Sequence, residues 1–69
     1  MIEVFKTNVQ FEEQGERILA SLAQLFSSLK INFDLEDCDK ILRVEGNDFS
    51  VELIRETVHR FGHTCELLE

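Results

Sequence analysis

The stretch Ile2-Glu3-Val4-Phe5-Lys6-Thr7-Asn8-Val9-Gln10-Phe11-Glu12-Glu13-Gln14 contains the change of period on which the fold turns. Ile2 to Thr7 is rich in apolar and β-favouring residues and predicts a first strand, which polar Asn8 interrupts. Farther on, Ile18, Leu19, Leu22, Leu25, Phe26 and Leu29 recur at the spacing that lines one side of an α-helix. Glu12, Glu13 and Glu16 crowd its first turns, where carboxylates complement the positive end of the helix dipole. The predicted helix runs from about Phe11 to Leu29.

Working outward, Ile31, Phe33 and Leu35 alternate with Asn32, Asp34 and Glu36 as a second strand with one apolar face. Asp37-Cys38-Asp39-Lys40 reads as a hairpin turn, and Leu42 and Val44 alternate through a third strand that Gly46-Asn47-Asp48 ends. Ser50 is placed to cap a second helix, with Glu52 in its first turn and Leu53, Ile54, Thr57, Val58 and Phe61 on its buried side. Gly62 stops that helix, and Thr64 to Leu68 forms the last strand.

The resulting order, βαββαβ, suits an α+β ferredoxin-like sandwich: a four-stranded antiparallel sheet in order 4-1-3-2 with both helices on one face. In that topology the connection after strand one, the Cys38 hairpin and the Gly62-His63 turn share one end, where a site is expected. Strand parity turns Phe5, Thr7, Ile31, Phe33, Leu35, Leu42, Val44, Cys65 and Leu67 toward the helices. It leaves Ile2, Val4, Ile41 and Leu68 on the open face, either as a partner or self-association surface or as scattered exposure.

Sixty-nine residues make one small domain, 1–69, and 43% hydrophobic content without proline or low-complexity sequence predicts a compact fold rather than disorder. Fourteen acidic against seven basic residues give a net charge of −7, which opposes phosphate backbones and anionic membranes and favours cationic partners. Neither nucleic-acid nor membrane binding is expected. The N-terminus lacks the apolar core of a signal peptide, and no run approaches the roughly 18 residues of a membrane span, so a cytoplasmic location is expected. Cys38 and Cys65 lack close metal spacing, and a reducing compartment keeps them as thiols, with a structural disulfide the lesser alternative.

Nearly the whole chain resembles the heavy-metal-associated domains of copper chaperones and metal-pump N-terminal segments. Phe5-Lys6-Thr7-Asn8-Val9-Gln10 is similar to the family's first strand leading into its metal loop, and Ile18 with Leu22 matches its first helix. Asp39-Lys40-Ile41-Leu42-Arg43-Val44-Glu45-Gly46 resembles its third strand with a Val-Glu-Gly ending, and Ser50 to Leu68 its second helix and final strand. The family holds a soft metal through MxCxxC, two thiolates beside a helix N-terminus. Here Val9 stands for the methionine, Phe11 for the first cysteine and Gln14 for the second, so the resemblance implies a degenerate member without thiolate ligands. It implies a small non-catalytic binding or regulatory module, with no cofactor and with a protein partner or self-association.

The other candidates each have two readings. Val9 and Phe11 are expected to plug the vacated site, with an exposed apolar recognition spot as the alternative. His63 is expected to be a solvated loop residue, Cys38 a tolerated turn residue and Cys65 a small buried hydrophobe; together they are the candidates for a divergent metal carrier. Glu12, Glu13, Asp37 and Asp39, with Asp34 and Glu36 nearby, either steer a basic partner or form a solvated face that guards an edge strand. No carboxylate pair, serine–histidine set or glycine-rich phosphate loop points to an enzyme.

Overall fold

The structure, a computed structural model, describes residues 1–68. Its elements are β1 (Ile2–Thr7), α1 (Glu12–Leu25), β2 (Lys30–Asp34), β3 (Ile41–Glu45), α2 (Val51–Arg60) and β4 (Cys65–Leu68). The strands form one antiparallel sheet in order β2-β3-β1-β4, the sandwich topology expected from the sequence. β1 is central, and Phe5 lies opposite Leu42 on β3 and Leu67 on β4. Alternation then brings Phe5, Leu42, Val44 and Cys65 onto one face, where they share a fully buried cluster with Ile18 and Leu22 of α1 and Ile54 and Val58 of α2. Both helices therefore cover that face. No helix among the described residues is long and apolar enough to cross a membrane.

The first helix is shorter than its sequence pattern predicts, ending at Leu25 rather than near Leu29. Phe26 leaves helical geometry at φ −134°, ψ 71°, although its N–H still donates to the Leu22 carbonyl at 2.8 Å. Ser27 and Ser28, which favour turns, redirect the chain so that Phe26 and Leu29 pack on the core while Leu25 stays 58% exposed. Leu29 then lies so close to Gly46 that a Cβ there would overlap its Cδ2 atom.

The second helix starts where expected: the Leu53 N–H donates to Ser50 Oγ at 3.2 Å, a cap of the kind that contributes about 1 kcal/mol. Phe49, just before the cap, and Ile54 occupy hydrophobic-staple positions and both belong to the core, although Phe49 carries no periodic signal in the sequence. Two assignments on this helix need correction. Leu53 is exposed because it lies about 100° around the helix from Ile54. Phe61 is also exposed, since the helix stops at Arg60 and the chain turns away through Gly62 at φ +84°.

Candidate functional site

The far end of β1 gathers the three connections expected there. Thr7 N–H donates to the Asp39 carbonyl at 3.1 Å, and Thr7 Oγ1 donates to the Lys40 carbonyl at 2.6 Å, tying β1 to the hairpin. Thr7 Oγ1 also accepts from the Val9 N–H at 3.3 Å, so this buried hydroxyl is satisfied on both sides. On the other flank Asn8 Oδ1 accepts the Thr64 N–H at 2.9 Å and lies 3.2 Å from His63 Nδ1. With that oxygen acting as acceptor, the short contact requires the proton of His63 to be on Nδ1. The hairpin closes through the Lys40 N–H donating to the Asp37 carbonyl at 3.0 Å, with Lys40 at φ +49° and its Nζ donating to the Leu35 carbonyl at 3.0 Å.

Between these flanks α1 begins. Val9 is fully buried in the core cluster, whereas Phe11 is the N-cap residue and 63% exposed. The expectation that both residues are enclosed holds for Val9 only; Phe11, with an extended backbone (φ −118°, ψ 142°), leaves its ring in solvent. Gln14 sits at the third helical position, and its Oε1 accepts from the N–H groups of Gln10 and Phe11 at 3.4 and 3.3 Å. That is the returning half of a capping box, satisfying two donors at the chain's entry into the helix. Val9, Phe11 and Gln14 are therefore a core aliphatic, an exposed ring and an amide engaged in capping.

The remaining soft-metal candidates do not converge. Among the described residues, the one grouping of three or more His, Cys, Asp or Glu ligand atoms within 4.8 Å of one another is Asp37, Cys38 and Asp39, without His63 or Cys65. Asp37 Oδ1 already accepts the Asp39 N–H at 2.9 Å, and Asp39 pairs with Lys6 at 3.9 Å. Cys65 is buried among apolar side chains, and desolvation pushes its thiol up from 9.0 to about 12, against an opposing pull from Arg55. Its proton is retained in the fold to about pH 12 but lost near 9.0 on unfolding, so stability falls as pH rises through this window. Expected with a thiol reagent at neutral pH is rapid modification of one site, exposed Cys38, with Cys65 reacting only after unfolding. Fast double labelling of the native chain would contradict that burial.

On the open sheet face, Ile2, Val4 and Leu68 cluster where β1 begins, Val4 lying opposite Leu68. Ile41 departs from the expected exposed patch: it is only 9% exposed and lies at the other end of the face, between cross-strand neighbours Lys6 and Asp34. A separate groove of about 460 Å³ runs between α1 and β2, with Leu19, Phe33 and Leu35 among its lining residues. Sequence periodicity assigns these three to the core; the structure leaves them half-buried because β2 is an edge strand. The excess of carboxylates around them is the signal in the sequence that marks the groove.

The chain is similar in structure to the yeast copper transporter domain CCC2A, solved in solution in apo and Cu(I)-loaded states. The likeness has a TM-score of 0.81 and covers 99% of this chain and 94% of that one, at 18% sequence identity. At that identity it is a likeness of fold alone, the βαββαβ sandwich. No family model matches the sequence, and no curated protein matches it.

Proposed function

We propose that this chain is a small non-catalytic binding or regulatory domain with a metallochaperone-like fold that does not grip a metal ion at its first-helix loop. The observation that carries the reading is the state of position 14, where an amide oxygen is held in capping hydrogen bonds at the place the resemblance gives to a thiolate. Phe11 offers no donor atom, and Val9 is enclosed by the core. This donor set does not fit Cu(I) or Zn(II), which take soft thiolates or imidazoles at open sites. CCC2A, by contrast, has a Cu(I)-loaded state. What remains for the scaffold is recognition of another protein through its surfaces.

The test is a Cu(I) titration of the reduced chain against a competing chelator. The expected result is no stoichiometric uptake; submicromolar affinity that vanishes on changing Phe11 or Gln14 would overturn the reading. A divergent carrier using Cys38, His63 or Cys65 is tested in the same titration with separate alanine variants. Its three candidate ligands do not gather within 4.8 Å of one another, and one is a buried thiol.

A further inference from the structure

We propose that the groove between α1 and β2 receives an extended, basic segment of a partner protein, which adds to the sheet as a further strand. This names a partner class and a surface for the binding-domain reading on which it rests. β2 pairs with β3 on one side only, so its outer edge presents backbone donors and acceptors to solvent. Above that edge the helix stands close: a Cβ on Gly15 would lie 3.2 Å from Phe33 Cδ2. The half-buried floor of Leu19, Phe33 and Leu35 lies beneath a rim of Glu12 and Glu16 on the helix and Asp34 and Glu36 on the strand side.

Charge selects the occupant. Neither ion pair among the described residues engages any of the four rim carboxylates. A second copy of a chain with net charge −7 brings like charge to this rim, whereas a lysine- or arginine-rich strand brings its complement. Long basic side chains pointing toward α1 lay their methylene stems on Leu19, Phe33 and Leu35 and carry their charged heads to Glu12 and Glu16. Those on the opposite side of the added strand sit beside Asp34 and Glu36. Main-chain hydrogen bonds to the free edge supply affinity, and the carboxylates supply selection.

The experiment is an NMR titration of the isotope-labelled, metal-free chain with a short synthetic lysine–valine peptide whose lysines come in adjacent pairs, so that both sides of an extended strand carry charge. Saturable amide shifts are expected in Lys30–Leu35 and in the first half of α1. Binding should weaken when salt is raised from about 0.1 M, where the Debye length is about 10 Å, to about 1 M, where it is about 3 Å. The double variant E16K/E36K, at two exposed positions, should lose about tenfold in affinity while keeping the unbound spectrum of the core. Overturning results are the absence of saturable shifts, shifts spread evenly over the acidic surface, or equal binding of a glutamate–valine peptide. Tighter binding of a helical lysine–leucine peptide, or the same shifts on concentrating the chain alone, would assign the groove to a different occupant and also overturn the proposal. Copper is absent throughout, so failure here leaves the Cu(I) titration to be judged separately.

Discussion

The double substitution F11C/Q14C is expected to create one Cu(I) site per chain, with no stoichiometric uptake expected of the parent. The two positions occupy the N-cap and the third helical residue of α1, one helical turn apart, and the start of a helix favours thiolates over thiols. Removing Phe11 sacrifices little packing because its ring is largely in solvent. Removing Gln14 withdraws the acceptor for the Gln10 and Phe11 N–H groups, a loss on the scale of a helix cap, about 1 kcal/mol. The metal-free variant should therefore melt about 4–8 °C below the parent, and copper should reverse the deficit, since a ligand that binds only the folded state stabilises it. Chelator competition and paired thermal melts check both halves. If the variant folds and still ignores copper, the loop does not preserve the family's ligand geometry, and the alignment of Phe11 and Gln14 with the two cysteines is wrong.

Phe5→Ala is expected to abolish the folded state at room temperature. Phe5 is fully buried on the central strand, at the meeting point of sheet and helices, and truncating such a ring costs about 3–5 kcal/mol. A core this small contributes a net stability of about the same size, 3–5 kcal/mol, so no margin survives. Collapse of amide NMR dispersion and loss of a cooperative melt would report the outcome. A native-like transition in the variant would mean that the packing centre lies elsewhere.

The βαββαβ order indicated the topology, and the alternation of β1 and β3 with the spacing of Ile18, Leu22, Ile54 and Val58 indicated much of the core, because burial acts directly on those periods. Boundaries were harder to read. Leu25, Phe26 and Leu29 continue the helical pattern in sequence, which masks the local turn preference of Ser27-Ser28, and the approach of Leu29 to Gly46 is a tertiary fact that no local period encodes. At the candidate site, the sequence displays that no cysteine stands at Val9, Phe11 or Gln14. That Gln14 caps the helix, that Val9 is enclosed while Phe11 is not, and that Asn8 reaches Thr64 across 56 positions of chain depend on loops brought together by folding. Ile41 illustrates the same limit, since strand parity gives the face a side chain occupies but not what its neighbours cover.

One carboxamide oxygen, on Asn8, is the shared anchor of two connections that are remote in sequence. The entry into α1 and the exit from α2 consequently cannot relax independently: displacing either strips an acceptor from the Thr64 amide and unseats the imidazole of His63. A ligand that pushed on the Phe11 loop would thus be felt at the start of β4, giving this end of the molecule a built-in mechanical link between its first and last turns.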